Sequence, residues 1–297
     1  RESDSEPVAI KVLHPHLVDA SDDVERFLRE MRITESLDSP NVVRVVGTGR
    51  APDGSPYLAM EWLVGSDLAA VLREHGRLSL RETVELVRQV AEALVLAAKA
   101  GVVHRDVKPQ NLFRVDTEGG VRWKVLDFGV SRCVELTSSL TQGAIGTPNY
   151  MAPEQCRGLA VDHRADVFAL GAVAYRALTG QPPFSAADHL AVAFRVVNDQ
   201  PARPSDLTML PADVDSVLAI ALAKDRDLRF ATASDFAEAL KAASHNALSE
   251  ARRAEARAIL GEAPWSQPEA MAAATHARAR TPLEADTESQ PEASRDR

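Results

Sequence analysis

Only two cysteines, Cys133 and Cys156, occur in 297 residues. Two thiols make no disulfide framework, and without a C-x-x-C pair they offer no zinc-binding spacing; they read as reduced thiols. No apolar run reaches the ~18 residues that a membrane span requires. The charged amino-terminal stretch contains nothing like the apolar segment of a secretory leader. Basic residues are in deficit, 34 against 43 acidic ones, for a net charge of −9. That balance argues against a nucleic-acid-binding face as the main activity. Aromatic residues make up 5% of the chain, so the 45% hydrophobic content, enough for a sizeable core, rests largely on alanine and leucine. Glycine is also late to appear, with none before Gly47.

What is present changes in texture along the chain. Residues 8–13 (VAIKVL) predict a strand, apolar on both sides of Lys11. Residues 22–37 predict a helix through Val24, Phe27, Leu28, Met31 and Leu37, with acids in its first turn. "NVVRVVGTG" and "SPYLAMEWLVG" predict two strands joined by the turn-forming "RAPDG". Gly47 and Gly49 read as a turn rather than a phosphate cradle, because neither a lysine nor a helix start follows them. The expected hinge lies near Trp62–Ser66.

Beyond it, helices are predicted over 67–74, 79–100, 164–179, 186–198, 213–223 and 232–243. Short strands flank the loops of "VVHRDVKPQNLFRV" and "VRWKVLDFGV". The fold class is therefore α+β, with a β-rich lobe over 1–62 and an α-rich lobe over 66–243. The tail, 244–297, is rich in Ala, Arg, Glu, Pro and Ser; it predicts a short helix at 247–260 and then a stretch too polar to order itself.

Chemistry concentrates in "HRDVKPQN" (104–111), where Asp106 and Asn111 lie five apart on a proline-containing loop with Lys108 between them. "DFG" (127–129) follows about twenty residues later, and "APE" (152–154) closes a polar stretch. Two acids, an amide and a lysine at loop tips form a hard-oxygen site suited to Mg²⁺ and phosphate.

In these residues the chain resembles the eukaryotic-type (Hanks-type) protein kinases, most closely the bacterial serine/threonine branch. Val8–Lys11, His104–Asn111 (with valine where the family has leucine), Asp127–Gly129 and Ala152–Glu154 stand in the order of that signature set. The resemblance covers about residues 7–243 and implies a two-lobed kinase fold that transfers the γ-phosphoryl group of Mg-ATP to serine or threonine hydroxyls of proteins.

By position, it implies that Lys11 holds the α- and β-phosphates with Glu30 as its helix partner, whereas Glu25 and Glu35 read as surface charge. Asp106 would act as base and Lys108 would steady the γ-phosphate, while Asn111 and Asp127 would hold Mg²⁺. "LAMEWLVGSDL" matches the adenine-binding hinge, with Met60 as gatekeeper, the backbones of Glu61 and Leu63 on the base, and Asp67 either on the ribose or capping the next helix. Arg105 would await a phosphate on the activation segment, for which Thr141 ranks ahead of Thr137, Ser138 and Ser139; Thr147 would brace Asp106 and Lys108. Asp166, the pair Glu154 and Arg229, and His104 read as architectural, and His14 and His16 lack companions for a zinc site. Protein substrates, self-association for autophosphorylation and a cytoplasmic location complete the expectation.

One part of the pattern is missing. The family's glycine-rich hairpin precedes the lysine strand, yet only six residues, none of them glycine, precede Pro7. The chain is expected to be a fragment lacking the first two strands of the small lobe. The alternative is a catalytically silent kinase-like scaffold; a small-molecule kinase is disfavoured by "GTPNYMAPE". On the fragment reading, equilibrium titration should find weak ATP binding by these 297 residues and tight binding once the chain is extended upstream.

Overall fold

A computed structural model describes residues 7–12, 35, 37–52, 54–128 and 148–266. The expected helix over 22–37 lies almost wholly outside the described residues, as do His14, His16, Cys133 and most of the polar stretch before "APE". Glu35, the one described residue of 22–36, is exposed, as surface charge would be.

The small lobe holds an antiparallel sheet of β1 (Val8–Val12), β2 (Val45–Arg50) and β3 (Pro56–Glu61), in the order β1-β3-β2. Period-two alternation places Val8, Ile10 and Val12 on the exposed face and Ala9 and Lys11 on the more sheltered one. Register sets Ala9 opposite Met60 and Lys11 opposite Leu58. Among the described residues β1 is an edge strand.

Gly47 and Gly49 correct the expectation of a turn: both lie inside β2, where the register shifts between Val45 and Gly47. Gly49 is glycine for a packing reason, since a Cβ there would stand 2.6 Å from the Tyr57 hydroxyl. The turn expected at "RAPDG" does join β2 to β3, with Ala51 N–H donating to Ser55 O at 2.8 Å and Gly54 N–H to Ala51 O at 2.9 Å.

The connection to the large lobe is extended over 62–65 and enters β4 (Ser66–Asp67), which pairs with β5 (Leu112–Thr117); β6 (Gly120–Val125) completes this second antiparallel sheet. Gly65 permits that entry, because its φ is +152° and an added Cβ would lie 1.9 Å from the Arg114 carbonyl oxygen. Helices α1 (Leu68–His75) and α2 (Leu80–Lys99) follow, each started by a side-chain cap. Ser79 and Glu82 form a reciprocal capping box at α2, an arrangement worth about 1 kcal/mol.

After the short α3 (Pro153–Cys156), α4 (Arg164–Thr179) runs through the centre of the lobe. It is buried all round by residues such as Val167, Phe168, Leu170, Val173 and Tyr175, as expected of a helix that lacks a polar face. Around it lie α5 (His189–Asn198), α6 (Pro204–Leu207), α7 (Ala212–Ala221) and α8 (Ala233–Ser244), with α8 packed on α2 and α7.

A last helix, α9 (Glu250–Glu262), buries Ala256 and Ile259 against α7. Arg253 grips Asp213 with two hydrogen bonds of 2.8 and 2.9 Å, and Ser266 N–H donates to Pro201 O at 3.0 Å. The first turns of the tail thus belong to the packed lobe.

Lys224, just after α7, is the least expected charge in this core. Its Nζ donates to Val196 O at 2.8 Å and lies 4.2 Å from the centre of the Phe184 ring. Burial pulls its pKa down to about 7, against the attraction of Asp199 and with help from Arg229. The unfolded chain keeps this proton until near 10.5, so between about 7 and 10.5 it binds more protons than the fold does, and stability rises with pH. Urea unfolding at about pH 7.5 and about pH 9 should show the parent protein gaining roughly 2 kcal/mol relative to Lys224→Met, whose curve lacks this component.

Candidate active site

The loop after α2 cannot use a helix or sheet ladder for its backbone, so its N–H groups need other partners. Asp166, in the first turn of α4, supplies them: its two carboxylate oxygens accept from His104 N and Arg105 N, both at 2.8 Å. Burial pushes the Asp166 carboxyl up, while the two N–H groups and the helix start favour its charged form. His104 accepts from Asp106 N at Nδ1 (3.2 Å), which fixes Nε2 as the donor to Leu126 O at 2.9 Å. Its ring packs on Phe128, centroids 4.7 Å apart. His104 is therefore a scaffold residue. Arg105 and Asp127 have left-handed backbones, φ +66° and +52°, conformations that non-glycine residues hold only when their surroundings enforce them.

Five of the predicted site residues fall into two groups, joined through Leu126 N–H, which donates to Asn111 O at 2.9 Å. Asp106 Oδ2 accepts from Lys108 Nζ at 2.8 Å and from Asn111 Nδ2 at 2.9 Å. Asn111 Nδ2 also donates to the Asp106 carbonyl at 2.8 Å, placed there by the turn Pro109–Asn111 that leads into β5. Asp106 Oδ1 takes no bond among the described residues. From the small lobe, Lys11 Nζ reaches Asp127 Oδ1 at 2.9 Å. Both side-chain bonds of Asn111 use its amide nitrogen, so its carbonyl oxygen, a hard oxygen of the kind Mg²⁺ takes, has no bond from the described residues.

At the hinge, Met60 sits in β3 opposite Ala9, and Leu63 lies in the extended connection. Glu61 N–H is taken by Arg44 O at 2.9 Å. The Glu61 side chain, which local sequence does not mark, is held through one oxygen, Oε1. It accepts from Arg44 N at 2.7 Å and from Lys124 Nζ at 2.6 Å, joining the end of β3 to β6. Asp67 Oδ1 accepts from Ala70 N at 2.7 Å and so caps α1, one of the two roles weighed for it. Glu30, Thr141 and Thr147 lie outside the described residues. Arg105 Nε is buried and has no hydrogen-bond partner among the described residues.

The polar network behind the cleft was also missed. Buried Gln89 of α2 accepts from Asn41 Nδ2 (2.9 Å) and Trp123 N (2.7 Å) and donates to Val121 O (3.0 Å). Apart from Glu85, one turn back on the same helix (2.7 Å), its partners lie 32 or more residues away, where no local signal points. Glu154 and Arg229 do form the expected buried pair, with two bonds of 2.7 Å, and Arg229 also donates to the carbonyls of Ala223, Arg164 and Lys224.

Among the described residues no helix is long and apolar enough to cross a membrane, and no cluster of three or more His, Cys, Asp or Glu side chains could hold a metal.

Residues 1–242 match the protein kinase domain family, and the chain belongs to it. Protein kinase domains use ATP and Mg²⁺. A relative from Corynebacterium efficiens, named a probable serine/threonine-protein kinase, is 41% identical over 258 residues, covering 83% of this chain and 39% of its own. The serine/threonine-protein kinase PknB of Mycobacterium tuberculosis is 38% identical over 235 residues, covering 77% and 37%. The chain spans about two fifths of the length of these curated relatives. Among solved structures, the kinase domain of Mycobacterium tuberculosis PknI superposes with a TM-score of 0.65 at 29% identity, over 80% of this chain and 85% of that one. The two-lobed kinase fold expected from the motifs is the fold observed.

Replacing Arg229 with methionine leaves Glu154 as a buried, unpaired charge. Chemical denaturation should show a loss of about 3–5 kcal/mol, and adding Glu154→Gln should recover part of it.

Proposed function

We propose that the protein transfers the γ-phosphoryl group of Mg-ATP to serine and threonine hydroxyls of other proteins. The observation that carries this reading is Asp106, whose Oδ2 is held by Lys108 and Asn111 while Oδ1 takes no bond from the described residues. A carboxylate so held accepts the hydroxyl proton and aims the oxygen at the phosphorus. Lys108 lies close enough to follow the charge that builds on the transferred group.

Lys11 and Asp127 now neutralise each other. With nucleotide present, Lys11 would turn to the α- and β-phosphates, and Asp127 with the Asn111 carbonyl would hold Mg²⁺. Bound there, the metal offsets phosphate charge. The Glu61 carbonyl and Leu63 N–H would read the adenine beside Met60, and the second oxygen of Asp67 would face the ribose. Glu30 would be the helix partner of Lys11.

The same reading extends to regulation. The unpartnered Arg105 Nε supports a phosphate-receiving role, with Thr141 the phosphorylated residue, supplied by a second copy of the kinase. Thr147 would brace Asp106 and Lys108. The cytoplasm, where ATP is abundant and thiols stay reduced, suits this chemistry.

With Mg-[γ-³²P]ATP and protein acceptors, label should appear on serine and threonine. Asp106→Asn should lower kcat by ~10²–10⁴ while nucleotide affinity stays near that of the parent. Label on tyrosine alone, or full activity in folded Asp106→Asn, would overturn the assignment. Phosphatase treatment should lower activity and Thr141→Ala should mimic it; unchanged activity after phosphatase excludes the switch.

A further inference from the structure

Gln155 is the first residue after the "APE" triplet. Its side chain reaches back fifty residues, and its Nε2 donates to the carbonyl oxygen of Arg105 at 2.9 Å. Its Oε1 accepts from Ala152 N at 2.9 Å, which fixes the orientation of the amide: nitrogen toward Arg105, oxygen toward its own helix start.

The carbonyl it holds belongs to the peptide unit that joins Arg105 to Asp106. The other polar group of that unit, Asp106 N–H, is bonded to His104 Nδ1. Both ends of the peptide plane are thus pinned, one from within the catalytic loop and one from α3. The pinning matters because Arg105 has a φ of +66°, from which the plane would otherwise relax. Asp166 secures the two peptides before, through His104 N–H and Arg105 N–H. The helix that carries Gln155 is itself tied to the lobe interior by Glu154 and Arg229.

We propose that Gln155 is a positioning residue for phosphoryl transfer, locking the Arg105–Asp106 peptide and so coupling the anchored end of the activation segment to the base. Gln155 has no part in nucleotide binding, and its role is felt in the orientation of Asp106. A donor is required at this position, since a carboxylate would face the Arg105 carbonyl with like partial charge. The proposal rests on the phosphoryl-transfer reading above. It also predicts a local backbone effect that can be measured without turnover.

The test uses the full-length protein with Gln155→Met, close in shape but without a donor, and Gln155→Glu. In both, kcat should fall by about tenfold to a hundredfold while KM for Mg-ATP stays within about twofold. The rate of Gln155→Glu relative to the parent should recover as pH is lowered from about 8 toward about 5.5, because a protonated carboxyl can donate as the amide does. The corresponding ratio for Gln155→Met should stay flat. Hydrogen exchange at the Asp106 amide should quicken in Gln155→Met and in Gln155→Glu at neutral pH. If Gln155→Met does not fold, Gln155→Glu carries the same test.

Unchanged kcat and unchanged Asp106 exchange in a folded variant would overturn the proposal. So would a loss confined to KM for Mg-ATP. A parent protein that transfers no phosphate would sink the functional reading instead, and the exchange measurement would still decide whether Gln155 holds the loop.

Discussion

The arrangement of the cleft depends on one buried carboxylate. Asp166 stands in the first turn of a helix that is enclosed on every side, and it offers both oxygens to the successive N–H groups of His104 and Arg105. A catalytic loop gains its shape by leaving regular structure and so loses the ladder that would satisfy its backbone. A charged acceptor at a helix start makes strong bonds to such groups and is itself favoured there by the helix dipole. With that anchor in place, the strained turn at Arg105 holds, His104 adopts a single tautomer, and Asp106 projects toward Lys108 and Asn111.

The cleft is built of matched charges that are held close yet remain exchangeable. Lys11 with Asp127 and Lys108 with Asp106 are short pairs of partly exposed groups, so each attraction is moderated by water. Such pairs can give up a partner to phosphate or metal at modest cost. Glu154 with Arg229 is the opposite case, fully enclosed and multiply bonded, and it acts as framework. The Glu61–Lys124 pair, with side-chain exposures of 20% and 13%, lies between these extremes and ties β3 to β6. Burial thus separates the partly exposed ion pairs, which water moderates, from the enclosed one that serves as framework.

Much of this was legible in the chain. Lys11, Asp106, Lys108, Asn111 and Asp127 were read from short runs whose order matched a known family, and the structure pairs Lys11 with Asp127 and sets Lys108 and Asn111 on Asp106. Helices with a clear polar face and a capping residue, such as α2 after Ser79 and α8 after Thr232, fell close to their predicted spans. Gly47 and Gly49 misled because composition alone suggests a turn, whereas Gly49 is dictated by the Tyr57 ring on the neighbouring strand. The depth of α9 was also hidden: a run with few large apolar residues packs because Asp213 and α7 lie beneath it.

The sequence by itself determined the family and which residues are candidates for its chemistry, because the spacing within a loop or strand is local and the residue types are those that phosphate and Mg²⁺ require. Only the tertiary structure decided how those residues are held. Gln89, Lys124 and Gln155 each have a partner 32 or more residues away, and nothing in the local sequence announces those bonds. The physical reason is that a hydrogen bond or ion pair depends on distance in space, which periodicity does not encode once the chain has turned back on itself.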